Sequence, residues 1–249
     1  MSVGELWLVK SRLVFVLSTD DRGKMSGTIT ALVAQKKNKD RVNVYLDGRF
    51  AFGLAAVEAI KLKRGQVLSD ADTDRLRDAD EAEKAHEKAL RFLANRPRSE
   101  SEVHQNLIKA KFGSLAIDQA IERLRQSDLI NDEAFVRYWI ENRSQFNPRG
   151  QRALRQELRQ KGVAREAIDA VLETTGHDED EAATQAALAK ANRYKDLPQP
   201  EFKQKLGAYL MRRGFDYETV RQAVAAAWQS VHSDNEDSSH LYPSDELEE

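Results

Sequence analysis

Three arginines at helical spacing are the residues in this chain best suited to bind an acidic partner. In the segment RGQRALRQELRQKG, Arg152, Arg155 and Arg159 stand at positions i, i+3 and i+7, which places them on one side of an α-helix. Leu154 and Leu158 lie on a different, apolar side. The planar arginine side chain pairs with phosphate or carboxylate through two hydrogen bonds. The spacing therefore predicts either a binding surface or a solvated helix face.

Further basic residues recur before and after this segment. Basic residues repeated along a helical array would form a discontinuous positive track for an acidic partner. The candidate partner-binding residues are Arg152, Arg155, Arg159, Arg149, Lys161, Arg96, Arg98, Lys109, Lys111, Arg212 and Arg213, and Lys203 and Lys205 are further basic positions in the last region.

A second segment, SDLINDEAFVRYWIENR, contains acids that could hold a metal and aromatics that could stack on bases. The acids are Asp128, Asp132 and Glu133, and the aromatics are Phe135, Tyr138 and Trp139. Capping and dipole complementarity explain acids at a helix start, and an aromatic stripe on one helix face is typical of core. We therefore predict that Asn131 or Asp132 caps this helix, that Asp132 binds no metal, and that the stripe is buried.

Sequence motifs of enzymes are missing from the chain. It has no cysteine, and its five histidines are scattered without ligand spacing. Nucleotide-binding glycine loops, the zinc-peptidase motif and the serine-hydrolase elbow are all absent. We therefore expect a protein that is no enzyme, with no catalytic residue, no cofactor and no metal.

Charge is unevenly distributed along the 249 residues, whose formal net charge is −2. Residues 232–249 contain seven acids and no Lys or Arg, so residues 1–231 carry a net charge of +5. We expect 232–249 to be a disordered acidic tail. The apolar segment Glu5–Leu17 is interrupted by Lys10 and Arg12 and is too short to span a bilayer. We expect residues 1–24 to be an unstructured appendage, with the functional start close to Met25.

Apolar positions repeat at intervals of 51 and 52 residues, which predicts three tandem copies of one unit. Leu107, Leu158 and Leu210 are equivalent in this frame, and so are Ile117, Ile168 and Val220. About 50 residues leave room for three helices with short loops. Stacked copies are expected to share one core.

Turn and cap residues fit the same frame. Ser99 and Glu102 have the spacing of a capping box. Gly162 and Gly214 fall where the second helix of a copy must end, because glycine adopts a positive φ there. The first copy has Lys111 at this position, so we expect its turn to differ.

The region before the repeats has strand character. A β-branched run begins at Thr28, and the pair Asp47–Gly48 between alternating apolar residues indicates a hairpin. A short helix near 55–60, a short extended piece, and a helix capped by Ser69 follow. The fold class is accordingly mainly α, with three-helix repeats at 81–130, 131–178 and 179–231 in an elongated array, and a small N-terminal α+β hairpin unit at 25–78.

Three segments resemble the RecX family, the bacterial regulators of the RecA recombinase. They are RPRSESEVHQNL (Arg96–Leu107), AIDQAIERLRQSDLINDEAFVRYWIENR (Ala116–Arg143) and PRGQRALRQELRQKGVAREAID (Pro148–Asp169). The resemblance covers about residues 25–230. Where the family usually has glycine, this chain has Asp128.

The resemblance implies a cytoplasmic, monomeric regulator that binds the RecA–single-stranded-DNA filament. Such proteins limit filament growth, ATP hydrolysis and strand exchange, and thereby regulate recombination, DNA repair and the SOS response. Weak direct DNA binding and no membrane association are expected. The residues themselves leave two alternatives: a helix-turn-helix regulator that binds DNA directly, and a helical scaffold for other proteins.

Overall fold

A computed structural model describes residues 25–175 and 178–233. The chain divides into two compact units between Asp80 and Glu81. The appendage expected at 1–24, and the tail expected at 232–249 from residue 234 onwards, lie outside the described residues.

The first unit is built on a four-stranded antiparallel sheet in the order β3-β2-β1-β4. Its elements are β1 (Gly27–Ala34), β2 (Arg41–Leu46), β3 (Arg49–Ala55), α1 (Ala56–Ala59), β4 (Val67–Leu68) and the start of α2 (Asp70–Leu93). Asp47 and Gly48 join β2 to β3 with φ angles of 46° and 80°, as a tight hairpin turn requires. The hairpin prediction is confirmed.

A buried carboxylate ties the end of this unit together. Asp80 is only 4% exposed. It accepts hydrogen bonds of 3.0 Å from the Arg41 guanidinium and of 3.0 Å from the Ala55 N–H. A buried charge is tolerated when it is paired and hydrogen-bonded in this way.

The second unit consists of three groups of three helices. They are the remainder of α2 with α3 (Glu100–Lys109) and α4 (Ser114–Gln126); α5 (Asp132–Phe146), α6 (Gln151–Gln160) and α7 (Arg165–Thr174); and α8 (Glu179–Ala191), α9 (Gln199–Arg212) and α10 (Tyr217–His232). The three-helix repeats expected from the 51- and 52-residue spacing are confirmed.

Each repeat has a hydrophobic cluster of its own, so the expectation of one shared core is wrong. Leu107, Leu158 and Leu210 are all fully buried, but they belong to three separate clusters. The physical reason is that each repeat closes its own three-helix core, while the contacts between repeats described below are largely polar.

The second helix of every repeat ends in the same turn. The N–H groups of Phe112, Val163 and Phe215 donate to the carbonyls of Leu107, Leu158 and Leu210 at 3.3, 3.2 and 3.4 Å. This is the hydrogen bond of a Schellman motif, which needs a left-handed residue. That residue has a φ of 65° at Lys111, 79° at Gly162 and 88° at Gly214. The expectation of a different turn at Lys111 is therefore wrong, because lysine adopts the same strained conformation.

Two matched joints connect successive repeats. At the first joint, the Ser99 hydroxyl donates to the Lys161 carbonyl at 2.6 Å. At the second joint, the Gly150 N–H donates to the Arg213 carbonyl at 3.1 Å. Ser99 and Gly150 are the N-caps of α3 and α6, and Lys161 and Arg213 are the C-caps of α6 and α9. The start of one second helix therefore packs on the end of the next.

Acidic side chains complete both joints. The Glu100 N–H donates to Asp132 at 3.0 Å, and the Gln151 N–H donates to Glu179 at 3.1 Å. Each acid is the first residue of the following repeat, and it satisfies an N–H that the helix itself leaves free. Burial raises the pKa of Asp132, although the hydrogen bond from Glu100 works in the opposite direction. Asp132 thus caps α3 across the joint, and Asn131 caps its own helix, α5.

Candidate partner-binding surface

The candidate basic residues separate into two groups by their contacts. Six are engaged within the protein: Arg96, Arg98, Arg149, Arg155, Lys161 and Arg213. Five are exposed and form no ion pair within residues 25–175 and 178–233: Lys109, Lys111, Arg152, Arg159 and Arg212.

Glu102 holds two of the engaged cations at the first joint. Arg96 lies 3.0 Å and Lys161 2.9 Å from its carboxylate. Burial pushes the pKa of Glu102 upward, but the hydrogen bonds from Lys161 and Arg96 more than offset this and hold the pKa below its usual value. The Glu102–Lys161 pair therefore ties the first repeat to the second.

Trp139 and Glu157 form an adjacent polar cluster within the second repeat. The indole N–H donates to Glu157 at 2.9 Å, and Arg143 donates to the same carboxylate at 2.7 Å. Arg149 lies 3.4 Å from Glu157. The Arg143 guanidinium and the Lys161 amine stand 4.5 and 5.1 Å from the centre of the indole ring. Trp139 is therefore already packed against charged side chains.

The aromatic stripe of α5 is part of the core, as the sequence predicts. Phe135 is 2% exposed, and Tyr138 and Trp139 pack partly buried against the same cluster. Their rings lie 6.5 and 5.8 Å from that of Phe135. Phe135 therefore has no exposed ring face on which a nucleic-acid base could stack.

Arg155 does not share the free surface of its two neighbours. Its guanidinium donates to Asp169 at 2.9 Å and to Gln151 at 3.1 Å. Residues three apart on a helix are separated by only about 60° around the axis. Arg155 therefore lies beside the buried Leu158, within reach of α7. Hydrogen bonds from Arg155 and from Arg165 hold the pKa of Asp169 below its usual range. The expectation of a uniformly free arginine stripe is wrong at this position.

Arg152, Arg159 and Arg212, here called the exposed arginine set, remain available to a partner. Arg152 and Arg159 lie seven residues apart on α6, which places them on one face. Arg212 is the last residue of α9. The second joint brings the end of α9 to the start of α6 through the Gly150–Arg213 hydrogen bond. The set therefore extends across two repeats.

Four family models match most of the chain. The model of the regulatory protein RecX N-terminal domain matches residues 27–69, and those of the first, second and third RecX three-helix domains match 85–124, 131–172 and 178–224. The chain belongs to the RecX family. Its three helical repeats are similar, one by one, to the three-helix domains of that family.

Individual RecX proteins agree with this assignment. The chain is 31% identical over 202 residues to the regulatory protein RecX of Listeria monocytogenes, covering 80% of this chain and 75% of that protein. It is 32% identical over 199 residues to the Bacillus subtilis protein of the same name, covering 79% and 75%. A crystal structure of regulatory protein RecX, 28% identical, superposes with a TM-score of 0.66 over 82% of this chain and 98% of that one.

The backbone at Asp128 has a conformation that also suits glycine. Asp128 has a φ of 52°, and the N–H of Leu129 donates to the carbonyl of Leu124 at 2.9 Å. This is a fourth turn of the Schellman type, at the end of α4. Aspartate tolerates the left-handed region better than most residues.

Two other kinds of feature are absent from residues 25–175 and 178–233. In the described part of the chain, no group of three His, Asp or Glu side chains could hold a metal ion. No helix among the same residues is both long and apolar enough to cross a membrane.

The partners of the joint residues escaped the sequence reasoning. Glu157 and Arg143 make the ion pairs described above, yet no motif singled out either residue. The capping-box spacing marked Glu102 but did not show its ion pairs. The Arg143–Glu157 pair spans 14 residues of the chain and the Glu102–Lys161 pair spans 59, although Arg96 is only six residues from Glu102. The Arg165–Asp169 pair, at i and i+4, has by contrast a spacing that is visible in the sequence.

Proposed function

We propose that this protein binds the RecA–single-stranded-DNA filament and limits its growth, ATP hydrolysis and strand exchange, and so regulates recombination and DNA repair. Membership of the RecX family supports a regulatory role. The observation that carries the proposal in this chain is the exposed arginine set, whose three guanidinium groups have no internal partner among the described residues.

The filament is an acidic object that suits these groups. It carries DNA phosphates, and a protein groove can add carboxylates. Arginine recognises both through bidentate hydrogen bonds. The six engaged cations differ from this set because they also form ion pairs, hydrogen bonds or ring contacts within the protein.

The helix-turn-helix alternative fits the structure less well. The turn between α6 and α7 is covered at Gly162 by Ser101 of the first repeat, and the turn at Gly214 is covered by Ala153 of the second. These turns are therefore not free to approach a major groove. The following helix, α7, begins with Arg165 paired to Asp169, which leaves fewer free donors for base edges.

The decisive test is a titration of the protein into RecA assembled on single-stranded DNA while ATP hydrolysis is followed. We expect inhibition at less than one protein per RecA subunit, because a regulator of filament growth acts at few sites. Fluorescence anisotropy with naked duplex DNA serves as the comparison. Tight duplex binding with a steep salt dependence, together with unchanged ATP hydrolysis, would favour the direct DNA-binding alternative.

We further propose that the protein acts as a monomer in the cytoplasm, by binding alone and without a cofactor or metal. Sedimentation of the purified protein tests the monomer directly.

A further inference from the structure

The engaged cations at the first joint form one continuous row. Arg96 and Lys161 share Glu102, Lys161 lies against Trp139, and Trp139 and Arg143 share Glu157. The charges of Arg96 and Glu102 both act on Arg98, and Arg149 lies 3.4 Å from Glu157. We call Arg96, Arg98, Arg143, Arg149 and Lys161 the first-joint cationic cluster.

Positive charge exceeds negative charge in this cluster. Each of the two carboxylates is shared between cations rather than matched one to one. With Arg149 left aside, the cluster has four cations, and in the described part of the chain their ion pairs are made with two carboxylates, those of Glu102 and Glu157. The internal pairing therefore holds the side chains in place but does not neutralise them.

Arg98 is the clearest example of this excess of positive charge. Its guanidinium lies 4.1 Å from the centre of the Phe92 ring, and no carboxylate lies within ion-pair distance of it in the described residues. Its Nε atom is buried without a hydrogen-bond partner. Burial and then the like charge of Arg96 lower the pKa of Arg98. An anion beside the guanidinium would offset the like charge of Arg96.

The cluster is accessible as well as ordered. The side chains of Arg96, Lys161 and Arg143 are 30%, 28% and 24% exposed. Their aliphatic parts pack on the protein while their charged ends reach its surface. Side chains that are already ordered lose less conformational freedom on binding.

We propose that the first-joint cationic cluster binds the phosphate backbone of single-stranded DNA. A row of cations that runs across two repeats matches a chain of phosphates better than a single anion, and four of the five members are arginines, which suit phosphate oxygens. The choice of single-stranded DNA as the source of phosphate rests on the proposed function. The cluster is distinct from the exposed arginine set on α6 and α9.

The test uses the full-length protein, fluorescent oligo(dT) and no RecA. In the variant Arg96→Gln/Arg98→Gln, Glu102 keeps its bond from Lys161 and no carboxylate loses its last partner, so we expect the fold to persist in circular dichroism. Affinity should fall about tenfold, and the slope of log affinity against log salt should flatten by about 1.4, which is 0.7 for each lost phosphate contact. The control Arg137→Gln/Arg165→Gln removes the same charge from exposed helix faces elsewhere.

Several outcomes would overturn the inference. They are absence of oligo(dT) binding by the wild type, unchanged binding by the variant, and an equal loss in the control. Loss of poly-glutamate binding without loss of oligo(dT) binding would assign the cluster to an acidic protein surface instead. If the double variant unfolds, Arg98→Gln alone decides, since Arg98 has no ion pair to lose. If the wild-type protein inhibits RecA but does not bind oligo(dT), this inference is wrong and the proposed function stands. If it binds oligo(dT) but has no effect on RecA, the proposed function is wrong and this inference stands.

Discussion

Reversing the charge of the exposed arginine set should weaken filament binding without unfolding the protein. In the variant Arg152→Glu/Arg159→Glu/Arg212→Glu, no internal ion pair among the described residues is broken. Exposed substitutions of this kind usually change stability by less than about 0.5 kcal/mol each. A variant that included Arg155 would behave differently, because a glutamate there would face Asp169, which now lies 2.9 Å from Arg155.

The expected loss of affinity follows from the number of contacts. An exposed charge pair contributes up to about 1 kcal/mol. Three lost contacts therefore amount to about 3 kcal/mol, which is roughly a hundredfold in affinity. Repulsion by the new carboxylates adds to this at low salt. Most of the change should appear as slower association and a weaker dependence on salt.

The assay is the concentration of protein that halves RecA ATP hydrolysis on single-stranded DNA, with circular dichroism and urea unfolding as checks of the fold. The control reverses Arg49, Arg64 and Arg193, which are exposed and form no ion pair among the described residues. A folded exposed-set variant that inhibits at the wild-type concentration would refute the reasoning. An equal loss in the control would show that total charge, not this surface, governs binding.

Three further predictions concern stability. Gly162→Ala should lower the stability by more than the roughly 1–2 kcal/mol that a left-handed alanine costs, because its Cβ would stand 2.2 Å from the Ser101 hydroxyl. Gly65→Ala is the control, since Gly65 has a φ of 87° and open space around it, and it should lose only the conformational part of that stability. Equal urea midpoints for the two variants would contradict the clash at Gly162. Lys111→Gly should raise stability by about 0.5–1 kcal/mol, visible as a higher melting temperature; a lower one would mean that the lysine side chain stabilises the turn. The pKa of Glu102 is lowered on folding, so the ionised carboxylate should stabilise the protein at neutral pH, and this stability should be lost as the pH falls below the pKa of Glu102 in the unfolded chain. In urea unfolding at a series of pH values, Glu102→Gln should reduce this acid-induced loss of stability. An unchanged pH profile would show that Glu102 does not contribute to stability.

Local features of the fold were readable from the sequence. The capping box at Ser99, the hairpin at Asp47–Gly48 and the buried leucine of each repeat depend on residues close together in the chain. Periodicity and turn chemistry encode such features directly. The same holds for the aromatic stripe on α5, whose spacing marks one helix face.

The division of the basic residues was not readable in the same way. Lys161 is held by Glu102, 59 residues earlier, and Arg213 donates to the carbonyl of Pro148, 65 residues earlier. Contacts at such separations depend on how whole repeats pack. A helical pattern places Arg155 beside Leu158 on α6, but it does not show that Asp169 on the next helix will meet it. The sequence therefore defined the candidates, and only the structure separated those that hold the joints from those that are free.

The joints also explain where glycine is required and where lysine is tolerated. The left-handed turn recurs in all three repeats, so conformation alone would favour glycine at Lys111, Gly162 and Gly214 alike. At Gly162 and Gly214 there is a second requirement, because a Cβ would meet Ser101 or Ala153 of the preceding repeat at 2.2 or 2.5 Å. Among the described residues, no three-helix repeat precedes the first one, and Lys111 bears only the backbone cost. The identity of this one residue thus distinguishes a turn at the beginning of the array from turns on which another repeat must pack.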